Sequence, residues 1–209
     1  MKILIATHNR GKLREYAALL AGLPIEWVTL DDVGVSTEVE ETGSTFEQNA
    51  LLKAEAYARL SGLPTLADDS GLEVDALGGA PGVQSARYAG SDASDADRYR
   101  LLLERMKNVP DAQRSARFRC VVALYIPGGE VYTAEGICEG RITHAPRGTY
   151  GFGYDPVFFV NECGVTMAEL APEIKNRISH RARAVQALRP QLAKLFMPSG
   201  EDRAERTES

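Results

Sequence analysis

From Ala116 to Gly140 the chain reads ARFRCVVALYI, then PGG, then EVYTAEGICEG. Both flanks are rich in β-branched and aromatic residues, and the short Pro-Gly-Gly link between them predicts a β-hairpin. A hairpin pairs its strands antiparallel, whereas a parallel neighbour needs a longer crossover. The feature therefore favours a mixed sheet over a purely parallel one.

The remaining segments fit around that hairpin. KILIA (Lys2 to Ala6) reads as a short buried strand, and IEWVTL as a second. Between them Leu13, Tyr16, Ala17 and Leu20 recur at helical spacing in KLREYAALLAGL, which ends near Gly22. A second helix is predicted over STFEQNALLKAEAYARL, opened by a capping box of Ser44 with Glu47, with Phe46, Ala50, Ala54 and Tyr57 on one face. PTLA reads as a strand that ends at a polar junction, ADDSG. GGAPGVQSARYAG reads as an irregular surface loop. Ser94 and Asp97 form another capping box ahead of DADRYRLLLERMKNV. VFFV is a strand, and TMAELAPEIKN and SHRARAVQALRPQLAKLF are closing helices. The expectation is one α/β domain over residues 1–197, followed by a polar, disordered tail over 198–209.

Bulk properties exclude several functions. A net charge of −5 argues against general affinity for nucleic acid or an anionic membrane surface. The longest apolar run, CVVALYI, is too short to span a bilayer, and the amino terminus lacks a signal-peptide pattern. Three separated cysteines and three scattered histidines offer neither a disulfide framework nor a zinc site, so a cytoplasmic location is expected. A metal here would be held by carboxylate and substrate oxygens, which points to Mg²⁺.

Five features carry chemistry. The turn THNRGK, from Thr7 to Lys12, sits where a strand passes into a helix, so backbone N–H groups and Lys12 favour an anion. Two acidic pairs, Glu40 with Glu41 and Asp68 with Asp69, are of the kind that shares a divalent cation with phosphate oxygens. Asn49 and Lys53 project from one side of the helix that starts at the first pair. GFGYD, from Gly151 to Asp155, offers aromatic rings on a glycine-flexed backbone for stacking a planar base. The basic run from Lys175 to Arg189, without an acidic residue, suits a small polyanion. Together these are the parts of a nucleoside triphosphate site.

In that order THNRGK, EETGSTFEQNALLKA, ADDSGLEVDALGGAPGVQSARYAG, GFGYDPVFF and EIKNRISHRARA resemble the inosine/xanthosine triphosphate pyrophosphatase family, also called the Ham1-like nucleotide pyrophosphatases. The resemblance runs from about Met1 to Phe196. It implies a two-lobed α/β fold around a long mixed sheet with the nucleotide in the cleft between lobes, and a homodimer. It implies hydrolysis of dITP, ITP and XTP to the monophosphate and pyrophosphate with Mg²⁺. Carried onto this chain, it places substrate on Thr7, His8, Asn9, Arg10, Gly11, Lys12 and Ser70, and the base on Phe152, Gly153, Tyr154 and Asp155, with Lys175, His180 and Arg181 at its edge. It places metal on Glu40 and Asp69 and catalysis on Asp69, Lys53 and Asp68, leaving open which aspartate accepts the proton. Tyr150 and Ile174 depart from the pattern beside site motifs, which bears on substrate preference more than activity. Competing readings are a Maf-like pyrophosphatase of other base preference, which the SHR and FGYD segments disfavour, and a noncatalytic nucleotide-binding module, which would tolerate loss of a carboxylate that this chain retains.

Overall fold

Lys2–Ile5 (β1) lies between two parallel partners, Glu26–Thr29 (β2) on one side and the start of Thr65–Val74 (β3) on the other. A computed structural model describes residues 1–196, so the tail expected over 198–209 lies outside the described residues. β3 pairs antiparallel with Ser115–Tyr125 (β4), and β4 with Val131–Ile142 (β5), which is the expected hairpin. Phe158–Val160 (β6) and Val165–Thr166 (β7) complete a seven-stranded mixed sheet in the order β2-β1-β3-β4-β5-β6-β7.

Helices cover both faces of one half of the sheet. Arg10–Leu19 (α1) and His180–Phe196 (α5) bury Tyr16, Leu20, Ala184, Val185, Leu188 and Leu192 against Ile3, Ile5, Leu66, Cys120, Val122 and Leu124. Phe46–Ser61 (α2) buries Phe46, Ala50, Ala54 and Tyr57 on the opposite face, against Leu4, Ala67, Val121 and Ala123. The far ends of the same long strands build a separate core with Asp95–Arg105 (α3) and the β6 region, in which Leu72, Val74, Phe118, Cys138, Leu102 and Phe158 meet. Two lobes thus share β3, β4 and β5, and the fold is the two-lobed α/β arrangement expected.

Local details depart from the sequence reading in instructive ways. α2 is capped by Thr45, whose side chain accepts from the Gln48 amide, while Ser44 hydrogen-bonds Gln48 Oε1; the cap is one residue later than expected. The Ser94–Asp97 capping box of α3 forms as read. β3 does not stop before the aspartates but runs through them, because β4 supplies a pairing partner for every residue from Thr65 to Val74. The presumed irregular loop folds into a 3-10 helix, Gly82–Arg87, clamped onto β3. TMAELAPEIKN divides into a 3-10 turn, Met167–Glu169, and a short helix Pro172–Ile178 (α4), since Pro172 can begin a helix but not continue one. Tyr150 and Ile174 are both exposed.

Candidate active site

The floor of the cleft follows from unequal strand lengths. β1 pairs with β3 only at Thr65 and Leu66 and then turns away, so the β3 edge beyond them faces open space. The resulting cleft has a volume of about 680 Å³, within the usual range for ligand pockets. It lies outside the carboxyl end of β1, where α/β sheets commonly receive ligands.

Side chains alternate along β3, which separates the adjacent carboxylates. Asp68 turns to the α1/α5 face, 2.9 Å from Lys12 Nζ and 3.3 Å from Arg181 Nη2. Burial would raise its pKa, but Lys12 and Arg181 outweigh that and hold it far below the usual carboxylate range. Asp69 turns to the α2 face, where Asn49 Nδ2 donates to it at 3.0 Å, the Ser70 amide at 2.9 Å, and Lys53 Nζ stands 3.8 Å away. Its pKa is raised, by burial first and by Glu41, against the pull of Lys53. The expectation that the pair shares one cation is therefore corrected. Asp69 lines the cleft, whereas Asp68 is a buried counter-ion to Lys12 and Arg181.

The acidic segment before α2 forms one wall. Tyr57 pins it, donating to Thr37 O and accepting from the Val39 amide, and Asn49 Oδ1 accepts from the Gly43 amide at 2.7 Å. Glu40 is exposed on that wall without an ion-pair partner among the described residues. Its neighbour Glu41 points inward and bonds both Lys53 and Arg87. Lys53 keeps its proton despite burial because Asp69, Asp68 and Glu41 surround it. Among the described residues no three His, Cys, Asp or Glu side chains are grouped to hold an ion. The oxygen-only donors Asp69, Glu40 and Glu41 instead fit a cation that completes its shell with water and substrate phosphates.

At the other end lies the aromatic platform. Asn9 caps α1 by accepting from the Lys12 amide at 3.0 Å, and Thr7, His8, Asn9 and Lys12 line the cleft. Arg10 points away, and Gly11 lies beneath Phe152, where an added Cβ would come within 2.6 Å of the ring. The Phe152–Asp155 turn is tied down by its own Asp155, which accepts from the Phe152 amide at 2.9 Å, and by Asp95, which accepts from the Gly153 amide at 2.7 Å. Tyr154 is buried, and its hydroxyl donates to Ser85 O at 2.9 Å. Lys175 pairs with Asp155 at 2.5 Å and Glu15 at 2.8 Å, and its Nζ stands 4.7 Å from the centre of the Phe152 ring.

Arg181 is less available than the sequence suggests. Its Nη1 bonds Glu15, and its Nη2 bonds Asp68 and Ser70, so both terminal nitrogens serve carboxylates and a hydroxyl of the protein. His180 is buried and stacked on Phe118 at 4.7 Å, with burial and the neighbouring Arg181 and Lys175 pushing its pKa well below the ordinary value. Ser70 and Gly153 also line the cleft.

The chain that builds this cleft matches the model of the Ham1 family over residues 3–191. The chain belongs to the Ham1 family. It is 55% identical over 191 residues to a dITP/XTP pyrophosphatase of Geobacter sulfurreducens, covering 91% of this chain and 96% of that one. It is 56% identical over 187 residues to a dITP/XTP pyrophosphatase of Geobacillus kaustophilus, covering 90% and 92%. A solved HAM1 protein from Coxiella burnetii superposes with a TM-score of 0.85 at 45% identity, covering 93% of this chain and 99% of that one.

Sequence reasoning passed over several residues of this Ham1-family cleft. Glu15 occupies an ordinary helical position, yet it is 8% exposed and bridges Lys175 to Arg181. Asp95, Arg98 and Arg87 belong to the second lobe and reach the cleft only through tertiary packing. No helix among the described residues is long and apolar enough to cross a membrane.

Proposed function

We propose that this protein hydrolyses noncanonical purine nucleoside triphosphates, dITP, ITP and XTP, to the nucleoside monophosphate and pyrophosphate, and so keeps such nucleotides out of DNA and RNA. The observation that carries this reading is the placement of Asp69 and Lys53 in one cleft with the Phe152 platform, with the Lys12 turn between them. The names of the relatives support it.

In this reading the base lies against Phe152 and the triphosphate extends past Lys12 toward Lys53. A water attacks the α-phosphorus, the bond to the β-phosphate oxygen breaks, and pyrophosphate leaves. Asp69, with its raised pKa, accepts the proton that the water gives up. Lys53 and the N–H groups at the start of α1 offset the charge that grows on the departing diphosphate. Asp69 with Glu40 or Glu41 would hold Mg²⁺, which when bound neutralises phosphate charge and favours ionisation of water. Lys175 and Arg181, whose Nε has no hydrogen-bond partner among the described residues, carry donors only, so a purine with a 6-carbonyl suits this end of the cleft better than one with a 6-amino group. The reading includes a cytoplasmic homodimer built from one two-lobed domain per chain.

The test is a screen of nucleoside triphosphates with Mg²⁺ that separates released pyrophosphate from phosphate, run in ¹⁸O-water. Pyrophosphate from ITP, dITP and XTP in large excess over ATP, with label in the monophosphate, is expected. Release of phosphate, label only in the other product, or equal treatment of ATP and ITP would refute the proposal.

A further inference from the structure

Arg87 ends the 3-10 helix Gly82–Arg87, and that helix is mounted on β3 with little freedom. Ser85 Oγ accepts from the Leu72 amide at 2.9 Å and donates to Gly82 O at 2.6 Å. Gly71 has no room for a side chain, since a Cβ there would meet Gly82 O and Ser85 Oγ at 2.4 Å. From this fixed base the Arg87 side chain enters the cleft from the second lobe and remains 40% exposed. Gln84 orients it, accepting from Nε at 2.7 Å.

Its terminal nitrogens rest on Glu41, Nη1 at 3.4 Å from the carboxylate and Nη2 at 3.2 Å from the backbone carbonyl. The same carboxylate bonds Lys53. A carboxylate held between an ammonium and a guanidinium marks a place where the protein stabilises an anion. The Arg87 contact is long and partly solvated, so it contributes little to stability and is readily exchanged. A phosphate offers more acceptor oxygens in the fork geometry that guanidinium favours.

We propose that Arg87 is a further phosphate-binding residue, reaching across the cleft to the diphosphate portion of the substrate and leaving Glu41 to do so. This rests on the pyrophosphatase reading above. Arg87 would then discriminate triphosphates from diphosphates by gripping, with Lys53 and the start of α1, the part that departs, while Phe152 holds the base.

The experiment compares wild type, Arg87→Gln and Arg87→Lys by inhibition with inorganic pyrophosphate and with IMP, and by kcat/KM for ITP and IDP. For Arg87→Gln the pyrophosphate inhibition constant should rise at least about tenfold, the loss of a charge-assisted hydrogen bond, with the IMP constant unchanged within about twofold. The preference for ITP over IDP should fall by a similar factor, and Arg87→Lys should recover part of both. An unchanged pyrophosphate constant, or constants for pyrophosphate and IMP that move together, would overturn the proposal. If wild type cleaved no triphosphate to pyrophosphate, the functional reading would fail. Arg87 would then be judged by calorimetric titration of inorganic pyrophosphate into wild type and Arg87→Gln, where equal affinity overturns it.

Discussion

Asp68 and Asp69 are adjacent in the chain and face opposite sides of one strand, the first bonded to Lys12 at 2.9 Å and the second to Asn49 at 3.0 Å. The same substitution should therefore give opposite phenotypes at the two positions. Asp69→Asn should lower turnover by roughly 10²-fold or more while keeping or raising the melting temperature, because it removes a carboxylate that burial disfavours. Asp68→Asn should destabilise the fold by about 3 kcal/mol or more, measured by urea unfolding, since it leaves Lys12 without its buried counter-charge and Arg181 with Glu15 alone. Equal loss of stability in both variants would contradict the two-sided arrangement.

Acid should weaken the fold through His180. Its folded pKa lies well below the ordinary value of about 6.5, chiefly through burial, so below that pH the unfolded chain takes up a proton that the native chain does not. The stability this contributes is complete above the unfolded pKa and falls as pH drops through the window down to the folded pKa. The slope is about 1.4 kcal/mol per pH unit at most. Asp68 and Glu15 are lowered in the same sense, but their contribution is lost only below the ordinary carboxylate range. Chemical denaturation between pH 5 and pH 7, within about that window, should show the slope in wild type and its loss in His180→Phe.

Activity should have its own acid limb. Asp69 accepts a proton only when ionised, and its pKa is raised by burial and Glu41, so kcat/KM should rise with pH through a midpoint above that of an ordinary aspartate, about 3.9. Chelation of divalent cations should abolish turnover, and Mg²⁺ should restore it. Full activity in excess EDTA would remove the metal from the account.

The glycine beneath the platform is a sharp probe of base binding. A methyl at Gly11 meets Phe152 Cδ1 at 2.6 Å, and the ring is only half buried, so it moves rather than the backbone. Gly11→Ala should raise KM for ITP by about tenfold through the loss of stacking, with little change in melting temperature. A KM equal to wild type would mean that the ring does not carry the base.

Much of this was legible because local signals agree with the fold. The hairpin, the Ser94–Asp97 cap, the α2 face and, apart from the exposed Ala17, the α1 face all follow from spacing that the packed protein preserves. The misreadings share one cause. ADDSG resembles a turn because two carboxylates in mid-strand are costly, and only cations from α1, α2 and α5, distant in sequence, make that strand acceptable. Glu15 is hidden for the same reason, since its partners Lys175 and Arg181 lie at the other end of the chain. Glu40 and Glu41 look equivalent in sequence, and it is the position of Lys53 and Arg87 that draws Glu41 inward.

β3, β4 and β5 run without interruption from one lobe into the other. The lobes therefore have no linker to swivel on, and the width of the cleft is governed by the twist of three hydrogen-bonded strands. Any closing on a nucleotide would be a flexure of a stiff plate, spread over many peptide units. The jaw of this molecule is a leaf spring rather than a hinge.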